Sequence, residues 1–223
     1  MEWWQGFAND PSKFRSRAHE KDELAHYADA CYDIEYGYPW GFDELEGVAS
    51  RTDYDLKKHA GQSGAKLSYF DQQKQDPETG KNGWRYTPYV IEPAAGATRG
   101  LLVYLLDAYH EETVPDSDGR ESSRVVMKLH PRLAPIKAAI LPLVKKEGLP
   151  EIARKIVADF FKTGINVRYD EQHSIGKRYR RHDEAGTPYC LTIDGQTKED
   201  GTVTIRDRDT MKQDRIHAEK VVD

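Results

Sequence analysis

Cysteine is nearly absent: Cys31 and Cys190 are the only two in 223 residues, and they form no CxxC pair. Two distant cysteines speak against a disulfide framework or a zinc site, and a reducing compartment fits. No window reaches the ~18 consecutive apolar residues of a membrane span. The first ten residues, MEWWQGFAND, lack the basic and then apolar run of a secretory signal. The expected setting is cytoplasmic, with no membrane and no resident metal. Hydrophobic residues make up 38% of the chain and charged residues 32%, which predicts a heavily charged surface over one large domain or two small ones.

The formal net charge of −5 hides an asymmetry. Residues 1–121 carry 13 Lys+Arg against 23 Asp+Glu, whereas residues 122–223 carry 20 against 15. The basic half is the one suited to a polyanion. Residues 110–123 (HEETVPDSDGRESS) read as an acidic linker with turn-forming residues. The expected division is a first domain over 1–113, a linker over 114–123 and a second domain over 124–223.

The chemistry-bearing stretch of the first half runs from Tyr89 to Tyr109, YVIEPAAGATRGLLVYLLDAY. Tyr89, Val90 and Ile91 predict a buried strand that Pro93 ends, because proline has no N–H to donate. Ala94, Ala95 and Gly96 permit a close approach of backbone or ligand. A helix starting near Ala97 would aim its free N–H groups and positive end at whatever lies above the strand. Leu101, Leu102, Leu105 and Leu106 predict its buried face. Arg99 adds a cation suited to a phosphate, and Glu92 a carboxylate suited to an ammonium. The same unit also occurs as plain scaffold, with the arginine merely solvated.

Upstream, residues 2–32 predict helix, with Asp22 and Glu23 near a positive end. Asp33–Tyr36 and Asp43–Ala49 alternate carboxylates with apolar residues, as strands with one polar face do, and Gly37, Pro39 and Gly41 turn the chain between them. Carboxylates on adjacent strands suit a cation or an ammonium, or a solvated sheet edge. Arg51, Asp53 and Asp55 precede a helix, and residues 61–85 read as a surface hairpin or loop. In the second half, strand, helix, strand, helix, strand, strand follow in order. The helix from Leu149 to Phe161 places Ile152, Ile156, Val157, Phe160 and Phe161 on one face. A basic helical turn runs from Ser174 to His182, and the tail after Asp207 reads as helical near its end. The order predicts a small mixed sheet with helices on its faces.

The strings ELAHYADACYDIEY, ELEGVASRTDYDLKKH, YVIEPAAGATRGLLVYLLDAYHEE, LHPRLAPIKAAILPLVKK, SIGKRYRRHDEAGTPYC and TVTIRDRDTMKQDRI occur in this order. Together they resemble the C-terminal part of the dimeric type of glycyl-tRNA synthetase, a class II aminoacyl-tRNA synthetase, from about Trp3 to Val222. The resemblance implies an α/β (α+β) chain. Part of the class II antiparallel catalytic sheet, with its helices, would be followed by a small mixed-sheet α/β anticodon-binding domain. It implies ATP-dependent activation of glycine and its transfer to tRNA-Gly, with ATP as its Mg²⁺ complex and, for the full-length family, a homodimer.

The Tyr89–Tyr109 stretch is then similar to the class-defining motif 3. By that resemblance Arg99 is the catalytic residue. ATP would be held by Glu44, Leu45, Gly96, Ala97, Thr98 and Arg99. Glycine would be held by Glu92, Pro93, Ala94, Ala95, Gly96 and Arg51, with Arg51 on its carboxylate. In the second domain Lys177, Arg178, Tyr179, Arg180 and Arg181 form the cluster assigned to tRNA. The alternative for those arginines is pairing with Asp183, Glu184 or Asp207.

Two departures stand out. The family usually has serine where Ala94 stands, so one hydroxyl contact is missing, and Thr98 replaces the usual glycine or aspartate. The family's motifs 1 and 2 have no counterpart, which predicts a sheet with an open, aggregation-prone edge and no glycyl-adenylate synthesis by this chain alone. The alternative function is a non-catalytic tRNA- or RNA-binding module derived from this synthetase.

Overall fold

In the computed structural model, which describes residues 1–115 and 119–221, contacts divide the chain into two compact units. One comprises Met1–Gln5 with Pro11–Val103, and the other Gly6–Asp10 with Tyr104–Asp223. Helices and strands are mixed in both, as the α/β reading expects.

The first unit is a four-stranded antiparallel sheet with attached helices. After a short helix α1 (Glu2–Gln5) come strands β1 (Phe14–Ala18), β2 (Ala30–Tyr38) and β3 (Gly41–Ser50), helix α2 (Tyr54–Ser63), strands β4 (Tyr69–Gln75), β5 (Asn82–Tyr86) and β6 (Ile91–Ala95), and helix α3 (Ala97–Ala108), which from Tyr104 onward belongs to the second unit. The sheet order is β1-β2-β3-β6, and β4 and β5 form a separate hairpin. Period-two alternation sorts the sheet into two unlike faces. One carries Phe14, Ile34, Tyr36 and Tyr38, all buried. Trp4 lies on that side, its Nε1 donating to Glu46 at 2.5 Å, and Gly100 of α3 approaches its ring so closely that a Cβ there would lie 3.1 Å away. The opposite face carries Arg15, Arg17, Asp33, Glu35, Gly47, Ala49, Glu92 and Ala94 across the four strands.

Several expectations are corrected here. Beyond Gln5, residues 2–32 hold only a 3₁₀ turn at Pro11–Lys13, because FRSRA alternates and gains a full antiparallel ladder against β2. Tyr89 and Ile91 are exposed rather than buried, each at 61%. Pro93 does not end pairing but lies within β6, opposite Val48. It is tolerated because β6 is an edge strand, where a missing N–H costs no ladder bond. The leucines of α3 also face outward: Leu101, Leu102 and Leu105 are exposed, while Gly100, Val103, Tyr104, Asp107 and Ala108 make the buried stripe at helical spacing.

In the second unit the end of α3 leads into a hairpin of β7 (Tyr109–Pro115) and β8 (Glu121–Met127), where the sequence predicts a linker. Part of that linker, 116–118, lies outside the described residues, as do 222–223 of the second domain. Next come β9 (Ala138–Pro142), α4 (Leu149–Thr163), β10 (Val167–Tyr169), α5 (Ile175–Glu184), β11 (Tyr189–Ile193), α6 (Gly195–Asp200), β12 (Thr202–Asp207) and β13 (Gln213–His217). The sheet order is β10-β9-β11-β12-β13, with β10, β9 and β11 parallel and the last two antiparallel. The described tail, through 221, is thus a strand (Gln213–His217) and a 3₁₀ turn (Ala218–Lys220), not the helix expected.

Leu149, Ala153, Ile156 and Phe160 of α4 pack on one side of this sheet against Ile140, Leu191, Ile193 and Val203. Phe161, expected on that face, is 84% exposed, since it sits one position past the stripe. Ala139, Leu141 and Cys190 cover the other side with Ile175 and Tyr179 of α5. Gly164 closes α4 in the left-handed region at φ 76°, a conformation that costs glycine little.

A buried charge cluster joins β8, α5 and β12. Arg206 donates to both oxygens of Asp183 at 2.8 and 3.1 Å, and Arg124 Nη1 lies 3.7 Å from the same carboxylate. Asp183→Ala leaves buried Arg206 without its counter-ion and buried Arg124 with only Glu112, 3.4 Å away. The expected loss is about 3–5 kcal/mol of stability in the second unit, read from the midpoint of chemical denaturation.

Candidate active site and basic cleft

The charged face of the first sheet is built by cross-strand pairing. Glu35 receives Arg15 Nε at 2.5 Å and lies 3.2 Å from Arg17 Nε, while Asp33 receives Arg17 Nη2 at 3.2 Å and His19 Nε2 at 2.7 Å. Both carboxylates are almost fully buried. The carboxylates expected to await a cation thus already have partners of their own. Ligand atoms of His19, Cys31 and Asp33 also lie within 4.8 Å of one another, but Arg17 sits on the same carboxylate.

Beside this network the face turns small. Gly47 lies opposite Ala94 and Ala49 opposite Glu92. A Cβ on Gly47 would come within 3.6 Å of Glu44 Oε1 and 3.8 Å of Asp33 Oδ1. Glu92 is half exposed, and Arg51 Nη1 donates to its Oε2 at 2.7 Å. Arg51 also grips Asp55 through Nε at 2.6 Å and Nη2 at 3.1 Å, and its guanidinium lies 4.0 Å from the centroid of Tyr27. The two groups expected to hold opposite ends of glycine therefore hold each other. Asp55 and Glu92 raise the Arg51 pKa further, and Arg51 holds the Asp55 carboxyl below its usual range.

Arg99 stands in the first turn of α3, exposed, and donates to the backbone carbonyl of Glu44. Two of the residues expected at ATP are thereby brought together, at the positive end of a helix. The backbone N–H of Gly100 is engaged by Gly96. Leu45 is 1% exposed, so its side chain belongs to the core and only its backbone remains for a ligand. Pro93 and Ala95 alternate onto the opposite face from Glu92 and Ala94. Sequence reading missed Arg15, Arg17 and His19, although the two arginines at period two, facing Asp33 and Glu35, are the signal.

In the second unit α5 borders a cleft of about 600 Å³ lined by Lys177, Tyr179, Arg180, Arg181 and Arg206 among others. Arg178 does not line it. It is 2% exposed and donates to the carbonyls of Pro142, Asp170 and Leu143, which corrects its place in the surface cluster. Tyr179 bonds Thr192 at 2.7 Å and lies under Arg206, whose guanidinium is 4.8 Å from the ring centroid. Arg181 pairs with Asp170 at 3.2 Å rather than with Asp183, Glu184 or Asp207. Lys177 is exposed, and Arg180 Nη1 is buried without a hydrogen-bond partner.

With this geometry in view, residues 137–223 match the family model described as "Anticodon binding domain". Nearly the whole chain aligns with glycine–tRNA ligases. The one from Nocardia farcinica is 48% identical over 99% of this chain, the one from Treponema denticola 49% over 92%, and the one from Clostridium perfringens 52% over 93%. The chain is a homologue of glycine–tRNA ligases. It spans less than half of their length, 46%, 44% and 42% respectively. Among the described residues, no helix is long and apolar enough to cross a membrane.

The Arg51–Asp55 contact yields a direct test. The carboxyl of Asp55 titrates below its ordinary value, so its contribution to stability is present above about pH 4 and is lost as pH falls through the lowered value. In Arg51→Ala the Asp55 pKa rises back toward the ordinary carboxylate range, read by NMR titration of the side-chain carboxyl carbons.

Proposed function

We propose that this chain supplies one wall of the active site, and the anticodon-binding unit, of a glycine–tRNA ligase. The observation that carries the reading is the Arg51–Glu92 pair on the small-residue face of the sheet, on the same sheet as Glu44, whose carbonyl receives Arg99. Glycine is a zwitterion without a side chain. A site for it needs an anion, a cation and close walls. Glu92 takes the ammonium, Arg51 the carboxylate, and Gly47, Ala49 and Ala94 form the floor. Arg99, at the positive end of α3, takes a phosphate of ATP, which arrives as its Mg²⁺ complex.

A carboxylate oxygen of glycine attacks the α-phosphorus, the bond to the bridging oxygen breaks, and pyrophosphate leaves with its magnesium. A terminal ribose hydroxyl of tRNA-Gly then attacks the glycyl carbonyl, AMP departs, and the hydroxyl proton is released. The residues here act by positioning and charge neutralisation. Lys177, Arg180 and Arg181 in the basic cleft supply the cations for the anticodon end, with Tyr179 beside them. The setting for this work is the cytoplasm, and the assembly is expected to be a homodimer once the remaining length of the relatives is present.

A second reading, an RNA-binding module without catalysis, is favoured by Ala94, which lacks a hydroxyl. Glycine-dependent ATP–pyrophosphate exchange separates the two. The chain alone is expected to give none. Mixed with the segment of the Nocardia farcinica relative that it does not cover, it gains exchange, and Arg99→Ala abolishes that gain. Absence of any gain, with tRNA-Gly still bound and weakened by Lys177→Glu, decides for the module.

A further inference from the structure

A second cleft, of about 500 Å³, lies in the first unit and is lined by Asp53, Lys57, Trp84, Tyr86, Thr87 and Tyr89. The hairpin beside it is rich in aromatic side chains that build no core. Trp84 and Tyr86 stack at 4.3 Å between centroids, and Tyr69 meets Tyr86 edge-on at 6.0 Å. Tyr69 and Tyr89 are more than half exposed. Cross-strand register places Tyr69, Tyr86 and Trp84 on one face of the hairpin, and Phe70 and Arg85 on the other. Lys74 Nζ lies 5.9 and 5.7 Å from the Trp84 and Tyr86 centroids. Lys57 reaches Asp53 at 2.5 Å across the first turn of α2.

Charge singles out the same region. Residues 54–89 hold six Lys+Arg against four Asp+Glu, whereas the rest of 1–121 holds seven against 19. Half-exposed rings with lysines beside them suit a ligand that has both a π-face and a negative charge. Lys74, beside the rings, adds a positive charge that disfavours a cationic ligand. An unstacked nucleotide satisfies both requirements.

The position is specific as well. Arg51 N donates to Val90 O and Val90 N to Thr52 O, both at 2.9 Å. These bonds clamp together the two segments that run on, in one direction, to Asp53 and Tyr89 of the cleft and, in the other, to the Arg51–Glu92 pair. We infer that this cleft stacks an unstacked base near the single-stranded 3′ end of the RNA whose ribose receives glycine, with Lys57 and Lys74 on its phosphates. The inference rests on the function proposed above, and it adds a nucleotide subsite on the hairpin that positions the acceptor ribose.

The test titrates the full chain into a four-nucleotide RNA carrying 2-aminopurine next to its 3′ nucleotide, without glycine or ATP. Stacking on the hairpin quenches the fluorescence. Trp84→Ala and Tyr86→Ala are each expected to weaken binding roughly 10- to 100-fold. Trp84→Phe retains most of it, and Phe70→Ala, on the opposite face, leaves it unchanged. Lys74→Ala lowers the slope of log affinity against log salt by about 0.7. Equal affinity in Trp84→Ala and the parent chain, or an equal loss in Phe70→Ala, overturns the assignment. So does displacement of the RNA by ATP at matching concentration, which would give the cleft to a free nucleotide. The oligomer has no anticodon and the assay needs no activation of glycine. Failure here beside successful exchange removes the subsite alone, and success here beside failed exchange leaves an RNA site without the ligase.

Discussion

The first unit depends on the burial of two carboxylates. Asp33 and Glu35 retain 5% and 6% exposure, a state that a carboxylate reaches only with its charge paired. Only β1 offers the guanidinium groups at the right spacing, Arg15 and Arg17 with one residue between. The pairing fixes the β1 register, because a slip of one residue would turn both arginines onto the aromatic face and bring Phe14 away from Tyr36. The irregularity between Ile34 and Glu35 then brings Glu44 opposite Glu35. One electrostatic requirement thus orders the apolar core on one side and leaves, on the other, a polar face with small residues beside Glu92.

The Arg51–Glu92 pair fits that economy. Both side chains retain solvent contact, at 21% and 44%, so their attraction is screened by water. A zwitterion entering between them exchanges one ion pair for two and leaves the local charge unchanged. The pair therefore keeps complementary charges aligned at little cost to a ligand that separates them. Asp55 matters in this exchange. By holding Arg51 through two bonds, it keeps the guanidinium in place when Glu92 turns to another partner.

Much of this was legible in the sequence, for reasons that can be named. Strands β2 and β3 announce themselves by carboxylates at period two, α3 by its small-residue turn, and α4 by its apolar stripe. Strand β1 was missed because FRSRA is too polar to read as a strand without its partner. The outward leucines of α3 were misread because periodicity shows that a helix has two sides and not which side is covered. For α5 the signal was present but unused. Ile175, Arg178, Tyr179 and His182 fall at i, i+3, i+4 and i+7, which places Arg178 inward whatever its charge. Composition drew the whole basic run toward RNA, and the helical period separates the surface cations from the one that ties backbone carbonyls together.

The sheet edges carry a further consequence. Its outer strands are β1 and β6, and an unguarded edge invites pairing with another chain. Here β1 bears Arg15 and Arg17, and β6 bears Pro93, which cannot donate to a ladder. Both devices discourage indiscriminate strand addition, so the open edge is a smaller liability than the sequence implied. The larger one is apolar: Leu101 is 61% exposed, with Leu102 and Leu105 at 40% each. Covering a leucine recovers about 1.5–3 kcal/mol of transfer free energy when complete. The exposed face of α3, rather than the guarded sheet edge, is where uncovered apolar area of this kind is concentrated.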